Sequence, residues 1–396
     1  MIKRLVLVKG GVETLSFFSA EIEKYFLSNN IKTFWLDLDD LEKSAKHLKK
    51  FIKEDETALL TFNFLALSGE KYIYDEDRGY IWEIYNIPVY NIVVDHPLYY
   101  VERYPLVPPK YTEFHIDLDH ERYYENYYPE LKSGGFLPLA GTCYNDYVIP
   151  AFDEWIESKD IDILFVGSYM DPKEYMKYIT RINDEYTSFY MGMVDDLFDN
   201  PMQSLTDVAR RHCIREMGDK SIETWKVIYK SLNFLDLYIR AVARENAVKA
   251  IAKAGVNIDI FGHKWENASI KANNVKLHGP TDSKTCLMMM QRAKISLNVL
   301  PWFREGAHDR VFNAMANGSL CLTDESLYLD KIFNDKEDYI LYDISDVSDL
   351  GDKADKLLKD NEYIYKLVNK AYKKTLKGHL WSDRAKVLYD YMMNDK

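Results

Sequence analysis

The sequence lacks several features that mark particular classes of protein. No apolar run approaches the roughly 18 to 20 residues needed to span a bilayer, and residues 5–8 are too short an apolar run for a signal peptide. Basic residues are not in excess, since the formal net charge is −12. Nucleic acids and anionic membranes are held by basic surfaces, so we expect no nucleic-acid partner. The lack of a long apolar run predicts no transmembrane segment.

Cysteine is also scarce. The chain has 4 cysteines in 396 residues. They lie far apart, without CxxC or zinc-type spacing, so reduced thiols are the simplest interpretation and no metal site is predicted. Reduced thiols are typical of the cytoplasm, which is the expected location. The four residues are Cys143, Cys213, Cys286 and Cys321.

The length and the hydrophobic content predict two domains. A chain of 396 residues, 47% of them hydrophobic, is too long for one ordinary core. We expect an N-terminal domain over residues 1–150 and a C-terminal domain over 151–378. Residues 379–396 are predicted to form a final helix that packs back on the N-terminal domain. A stretch with helical period at about 172–250 is too long for one crossover connection and predicts a helical insertion.

Short apolar runs alternate with helical segments through the N-terminal half. Such alternation predicts a parallel sheet with helices on both faces. Gly10 and Gly11 follow the first strand and allow a ligand or another backbone to come close. They do not form GxGxxG, so a dinucleotide site is weakly supported. The predicted strands are 2–8, 32–38, 57–62, 89–94 and 112–116.

Asp95 and His96 follow an apolar strand directly. Ligands of open α/β sheets bind at the carboxyl ends of the strands, so these residues are candidates for acid/base chemistry or substrate contact. In the alternative interpretation Asp95 caps a turn and His96 is incidental.

The C-terminal half repeats the pattern. A strand at 161–166 ends in Gly167 and Ser168, a strand at 256–261 leads to His263 and Lys264, and a strand near 275 leads to 279–280. Each turn lies where a parallel sheet binds ligands. In the alternative interpretation Lys264 is a solvated turn residue and His263 is a packing residue.

The stretch 294–325 is the most informative. It predicts strand, loop, helix over 307–317, and strand. A helix that begins at the carboxyl edge of a parallel sheet directs free N–H groups and a positive dipole end toward an anion. Arg310 near that end favours a phosphate. The alternative is an ordinary crossover helix whose polar residues Arg310, Asn313 and Asn317 face water.

Three segments resemble a known family. The run from NVKLHGPTD to AKISLNVLPWFREGAHDRVFNAMANGSLCLTDES resembles the second domain of the GT-B glycosyltransferases, of the glycosyl transferases group 1 type and its CgeB-like, spore-maturation-protein branch. FLPLAG and VVDHP resemble two further elements of that branch. The resemblance implies two Rossmann-like domains facing a cleft, the second binding a nucleoside diphosphate sugar and the first an acceptor, without an obligatory metal or other cofactor.

The resemblance also implies roles for individual residues. Group 1 enzymes carry two glutamates separated by seven residues, and the matching positions are Glu305, near the donor sugar, and Asn313, near the ribose. Asn313 departs from the pattern, because an amide holds a diol less strongly than a carboxylate. Asp95 or His96 would be the base of an inverting reaction. The other expected donor contacts are Arg310, His308, Lys264, His263, Gly279, Pro280, Gly306, Gly167 and Ser168, with Gly10 and Gly11 on the acceptor side.

The expected function is therefore transfer of a hexose or N-acetylhexosamine from a nucleotide sugar, with UDP favoured, to an unidentified glycan, protein or small molecule. Retention is favoured over inversion, and then no acceptor base is required. Two alternatives stay open. One is a nucleotide-sugar epimerase on the same fold, and the other is a non-catalytic, CgeB-like structural or interaction protein.

Overall fold

The computed structural model describes residues 2–300 and 302–395, and these form two compact units. The first unit runs to Leu139 and also includes the chain from Leu380 on, while the second is Ala140–His379. The division thus falls between Leu139 and Ala140, whereas the sequence placed it after residue 150. The last helix of the chain, Trp381–Asn394, belongs to the first unit.

The first unit is built on a six-stranded parallel sheet with the order β2-β1-β3-β6-β7-β8. Besides the last helix of the chain, its helices are α1 (Glu13–Ser28), α2 (Leu41–Phe51), α3 (Ile81–Ile84) and α4 (Leu118–Tyr127). The strands of this unit are β1 (Arg4–Lys9), β2 (Lys32–Asp37), β3 (Thr57–Phe62), the hairpin pair β4 (Tyr74–Asp75) and β5 (Gly79–Tyr80), β6 (Val89–Val93), β7 (Tyr111–His115) and β8 (Lys132–Phe136).

The second unit has its own six-stranded parallel sheet, with the order β11-β10-β9-β12-β13-β14. This is the strand order of the nucleotide-binding Rossmann folds. In these folds the first and fourth strands are neighbours, and the order in which strands are added to the sheet reverses between them. The two doubly wound parallel sheets confirm the predicted fold class. The strands are β9 (Ile161–Val166), β10 (Ile258–Phe261), β11 (Val275–Gly279), β12 (Ala293–Leu297), β13 (Leu320–Thr323) and β14 (Ile340–Leu341).

Helices fill the long connection between β9 and β10, where the sequence predicted a helical insertion. None of the helices within residues 2–300 and 302–395 is long and apolar enough to cross a bilayer. The helices of the second unit are α5 (Phe152–Glu157), α6 (Pro172–Ile179), α7 (Asp184–Asp199), α8 (Leu205–Met217), α9 (Ile222–Lys230), α10 (Asn233–Lys253), α11 (Ser283–Arg292), α12 (Asp309–Ala316), α13 (Leu329–Ile332), α14 (Leu350–Leu358) and α15 (Asn361–Thr375).

The strand order marks the point at which open parallel sheets bind ligands. In an open parallel sheet the crevice lies at the carboxyl ends of the strands where the order reverses. In the second unit that point lies between β9 and β12. The loops after these two strands contain the predicted donor contacts Gly167 and Ser168 on one side, and Glu305 to Arg310 on the other.

A buried polar cluster stabilises the sheet of the first unit. The side chain of Glu113 is fully buried and accepts hydrogen bonds from the hydroxyls of Tyr111 and Tyr104, the latter at 3.1 Å. Burial raises the pKa of Glu113 to about 8, against the two hydroxyl contacts, which lower it. Burial lowers the pKa of His115 to about 3, so this imidazole is neutral in the fold.

The cluster predicts a pH dependence of stability. Unfolding exposes Glu113, which then ionises at its ordinary pKa, so its stabilising effect is lost as pH rises through the folded pKa. Between pH 6.5 and 8 the unfolded His115 is already mostly neutral, but Lys159, whose pKa burial lowers to about 7, makes stability rise with pH in the same range. The effect of Glu113 is therefore measured against a variant that keeps Lys159. From pH 6.5 to 8 we expect the stability of the wild type relative to Glu113→Gln to fall by up to about 2 kcal/mol, at ~1.4 kcal/mol per pKa unit. Exposed Glu125 gives the control variant Glu125→Gln. Equal slopes in urea titrations of all three proteins would contradict the assignment.

Candidate functional site

A buried ion pair holds the loop between β12 and α12. Arg304 is only 4% exposed and Asp324, which follows β13, is fully buried. Arg304 Nη1 lies 2.8 Å from Asp324 Oδ2 and also donates to the carbonyl of Glu325 at 2.9 Å. Asp324 accepts a second hydrogen bond from the Leu300 amide at 2.6 Å. The first half of the loop is therefore tied to the residue that follows β13.

Arg310 lies in the first turn of α12 and turns back toward the sheet. Its Nε donates to Asn298 Oδ1 at 3.1 Å, and its Nη2 donates to His308 Nδ1. No carboxylate of the described residues lies within ion-pair distance of its guanidinium. Burial lowers the pKa of Arg310, while the nearby carboxylates of Asp309 and Asp324 oppose that shift. A partly buried guanidinium held only by neutral groups is an anion-binding arrangement.

His308 immediately precedes α12 and is neutral. Burial lowers its pKa well below the ordinary value, and the positive charges of Arg310, Arg244 and Arg240 add to the shift. Because an arginine can only donate, the Nδ1 that faces Arg310 carries no proton, and the proton of the neutral ring is on Nε2. Sequence analysis predicted His308 and Arg310 but missed Arg240 and Arg244, which α10 contributes from another part of the chain.

The loop before α12 also contains Glu305 and Gly306, which were predicted as donor-side residues. Glu305 lies in a turn just before α12 and is partly exposed. Gly306 is buried, and its carbonyl accepts a hydrogen bond from Ser326 Oγ at 2.5 Å. The turn is therefore fixed by the chain after β13, and Glu305 lies in it, a few residues before α12 begins at Asp309.

Asn313 and Asn317 hold a neighbouring segment. The Thr142 amide donates to Asn313 Oδ1 at 2.8 Å, and Asn313 Nδ2 donates to Asp309 at 2.9 Å. Asn317 Nδ2 donates to the Thr142 carbonyl at 2.7 Å, and the Tyr144 amide donates to Asn317 Oδ1 at 3.0 Å. This face of α12 binds the chain at 142–144 instead of facing water. One N–H and one lone pair of the Asn313 amide remain for another partner.

The glycine turns of β9, β10 and β11 are joined at one sheet edge. The Gly167 amide donates to the Phe261 carbonyl at 2.9 Å, and the Gly262 amide donates to the Gly279 carbonyl at 2.9 Å. A side chain at Gly262 would lie only 2.2 Å from the Gly167 carbonyl oxygen, so this close approach requires glycine. A Cβ atom on Gly167 would lie 3.9 Å from Arg310 Nη1. Gly167 is thus the residue of these turns that lies beside the Arg310 side chain of α12.

The remaining predicted donor residues lie along the same edge. The Tyr169 amide donates to the His263 carbonyl at 2.9 Å, and the His263 amide lies 3.3 Å from Ser168 Oγ. The side chains of His263 and Lys264 are exposed, as is Pro280. Lys264 has a positive φ of 66°, which is unusual for a residue with a side chain.

The predicted residues of the first unit have structural partners. His96 is buried, and its Nδ1 accepts a hydrogen bond from the Leu98 amide at 3.1 Å, so it caps the short helix Pro97–Tyr100. Asp95 accepts hydrogen bonds from Asn63 Nδ2 at 3.0 Å and from the Tyr100 hydroxyl at 3.4 Å.

Gly10 and Gly11 both adopt positive φ, at 96° and 76°. They form the turn between β1 and α1 at the carboxyl edge of the first sheet. A Cβ atom on Gly11 would meet no neighbour, whereas one on Gly10 would lie 3.1 Å from the side chain of Asp39.

Comparison with known proteins identifies the architecture. Residues 240–390 match the family model described as glycosyl transferase-like. A search of curated proteins finds no match. Among solved structures, an alpha-glucosyltransferase in complex with UDP and a 13-mer DNA aligns with a TM-score of 0.58 at 11% identity, over 100% of both chains. The chain has the GT-B fold.

Two further GT-B alignments extend over whole chains. A glycosyltransferase from Rickettsia africae and a sucrose-phosphate synthase from Thermosynechococcus elongatus each align with a TM-score of 0.52 at 10% identity, over 100% of both chains. The family model covers most of the second sheet and α12, which is the region where the donor-side residues were predicted.

The buried ion pair generates a stability prediction. Replacing Arg304 by Met leaves Asp324 without its charge partner, and breaking a buried pair in this way costs about 3 to 5 kcal/mol. The double variant Arg304→Met/Asp324→Asn removes both charges and keeps an acceptor for the Leu300 amide, so we expect it to recover most of the loss. Urea unfolding followed by tryptophan fluorescence measures both. A double variant no more stable than the single one would show that the pair does not hold the loop.

Proposed function

We propose that the protein is a retaining glycosyltransferase that uses a nucleoside diphosphate sugar, with UDP favoured, and transfers a hexose or N-acetylhexosamine to a hydroxyl or other nucleophile. The observation that carries the proposal is Arg310. Its guanidinium lies at the start of α12, beside the carboxyl edge of a Rossmann-type sheet, and no carboxylate within residues 2–300 and 302–395 lies within ion-pair distance of it. A diphosphate is the ligand that such a site fits.

The chemistry follows from the charge that develops on the leaving group. As the bond between the sugar and the diphosphate breaks, negative charge grows on the phosphate oxygens. Fixed donors aimed at that charge stabilise the transition state without reorganising. Arg310 and the amides at the start of α12 supply such donors, so the proposed mechanism needs no metal. The Nε2–H of neutral His308 adds a hydrogen-bond donor that carries no charge.

Glu305 is proposed to support the donor sugar. Glu305 lies in the turn before α12, close in sequence to His308 and Arg310, and a carboxylate can accept hydrogen bonds from sugar hydroxyls. A retaining reaction needs no acceptor base. The proposal therefore assigns no catalytic role to His96, whose Nδ1 already accepts a hydrogen bond as a helix cap.

Asn313 is proposed to have two roles. One N–H and one carbonyl lone pair of its amide already hold α12 against Asp309 and Thr142. The rest of the amide can bind one ribose hydroxyl, which is weaker than a carboxylate binding the diol. Because Asn313 is almost fully buried, we expect its replacement to affect stability as well as nucleotide affinity.

The nucleotide is inferred from an aligned structure, and the acceptor from the net charge of the chain. UDP is favoured because the aligned alpha-glucosyltransferase structure contains UDP. That structure also contains DNA, but the net charge of −12 disfavours a polyanionic acceptor here. We propose a neutral acceptor, a contribution to its binding from Gly10 and Gly11, a cytoplasmic location and membership of the CgeB-like branch.

Activity is tested with a panel of UDP- and GDP-sugars. We expect hydrolysis or transfer with at least one of them, in the presence of a chelator as well as without it. Isomerised free nucleotide sugar in the absence of acceptor would identify an epimerase instead. No turnover with any donor, together with no change in melting temperature with UDP or GDP, would indicate a non-catalytic protein.

Arg310 is tested by substitution. We expect Arg310→Ala to weaken UDP binding by about 30- to 1000-fold, the equivalent of about 2 to 4 kcal/mol. Arg310→Lys should be intermediate, because it keeps the charge but loses the fork that contacts Asn298 and His308. Arg292→Ala removes an exposed arginine from the same unit and is the control. Calorimetry measures all three, and wild-type affinity in Arg310→Ala would remove Arg310 from the site.

A further inference from the structure

The chain passes between the two units at two points. The first crossing leads from Leu139 to Ala140, and the second crossing leads from His379 to Leu380. On the side of the second unit the two are bonded to each other, because the Gly141 amide donates to the His379 carbonyl at 2.9 Å. Both crossings therefore begin from one place in the second unit.

That place is helix α12, where both crossings contact Phe312. A Cβ atom on Gly141 would lie 2.8 Å from the carbonyl carbon and oxygen of Phe312, so the chain passes directly against the helix backbone and requires glycine there. The His379 ring stacks on the Phe312 ring, with centroids 5.4 Å apart and an angle of 11° between the planes. Phe312 is fully buried, so these contacts have little room to shift.

Two asparagines of α12 hold the chain that follows the first crossing. The Thr142 amide donates to Asn313 Oδ1 at 2.8 Å. The Tyr144 amide donates to Asn317 Oδ1 at 3.0 Å, and Gln291 Nε2 of α11 donates to the Tyr144 carbonyl at 3.0 Å. Asn317 is fully buried, and a buried polar group that loses its partner costs free energy. This segment therefore leaves α12 only at the expense of buried hydrogen bonds.

The same short helix carries the candidate phosphate contact. α12 has 8 residues, which is a length of about 12 Å, and residues 311–316 are all buried. Arg310 lies in its first turn, and Asn313 Nδ2 donates to Asp309 Oδ2 in that turn at 2.9 Å. A helix so short and so closely packed moves as one piece. A ligand that fixes its first turn therefore also fixes the residues that contact the two crossings.

We propose that nucleotide binding at the start of α12 is coupled to the two crossings through Phe312, Asn313 and Asn317. This inference rests on the proposed function. It adds a mechanical link between the donor site and the chain that joins the units. Opening of the crossings displaces α12 and with it Arg310, so a bound nucleotide makes such opening rarer. The coupling is reciprocal, and a loosened crossing weakens nucleotide binding.

Hydrogen exchange of the first crossing tests the coupling. The amides of Gly141, Thr142 and Tyr144 exchange when their hydrogen bonds open. With free UDP at about 100 times its dissociation constant, we expect exchange in residues 140–147 to slow by up to about 100-fold, because UDP binds only the closed form. Mass spectrometry of peptides from the full chain, with and without UDP, measures the exchange.

Val94 is the control for this experiment. Its amide also donates to an asparagine side chain, Asn63 Oδ1, at 2.9 Å, but it belongs to the first unit. We expect UDP to leave its exchange unchanged. Equal slowing at Val94 and at 140–147 would indicate a general rise in stability and would overturn the coupling through α12.

Gly141→Ala tests the reverse direction. The added Cβ atom pushes the first crossing away from Phe312, so we expect UDP binding to weaken by about 2- to 30-fold. Gln291→Ala is a milder variant that removes the bond to the Tyr144 carbonyl, and its loss should be smaller. Gly192→Ala in α7 of the same unit is the matched control, since its Cβ atom would meet the ring of His212 instead.

Calorimetry measures the affinity of the three variants for UDP. Circular dichroism and melting temperature establish that each variant is folded. If Gly141→Ala and Gln291→Ala both bind UDP as tightly as Gly192→Ala, the coupling is wrong.

The outcomes separate this inference from the proposed function. If the wild type binds neither UDP nor GDP, the proposed function fails, and the coupling fails with it. If the wild type binds UDP and Arg310→Ala loses it, but UDP leaves exchange in residues 140–147 unchanged, only the coupling fails. Slower exchange at 140–147 with unchanged exchange at Val94 is the result that supports both.

Discussion

The buried contact between Arg304 and Asp324 is the interaction on which the candidate site depends. It fixes the loop after β12 against the end of β13 and thereby sets where α12 begins. The first turn of α12 carries Arg310, and the residue before it is His308. Without this anchor, a loop of about ten residues would gain conformational freedom, and the N-terminus of α12 would be held less firmly. Removing two charges from water costs free energy, and their mutual attraction offsets that cost.

A second constraint comes from the glycine turns of the first strands. Gly262 approaches Gly167 so closely that no side chain fits between them. This contact aligns the carboxyl ends of β9 and β10 and leaves backbone, rather than side chains, opposite Arg310. The strand order reverses between β9 and β12, so the turn after β9 and the loop that leads to α12 lie at the same point of the sheet edge.

Sequence patterns predicted those parts of the fold that have a strong local signal. The apolar β-branched runs gave β3 and β9 with their observed bounds, and helical spacing gave α12 to within a few residues. β8 was missed because KSGGF contains two glycines and little apolar pattern. The hairpin of β4 and β5 was missed because two residues per strand carry no period.

In the site, too, the residues that were predicted lie close together in the sequence, and those that were missed lie far from them. Glu305, His308 and Arg310 were found because they share one short stretch of sequence. Arg240, whose guanidinium lies over the Phe303 ring, was not, because only the folded chain brings that side chain to the loop before α12. Asn313 and Asn317 were predicted to share a face, and they do, but their partners at 142–144 are about 170 residues away along the chain. Spacing along a helix says which residues share a face and not what that face meets.

The position of the diphosphate is the most direct test of the account. A crystal structure of the full chain grown with UDP would show the bound nucleotide in electron density. The account predicts both phosphates at the start of α12, with oxygen atoms within hydrogen-bond distance of the Arg310 guanidinium and opposite the Gly167 turn. UDP bound elsewhere, with Arg310 still held only by Asn298 and His308, would contradict it.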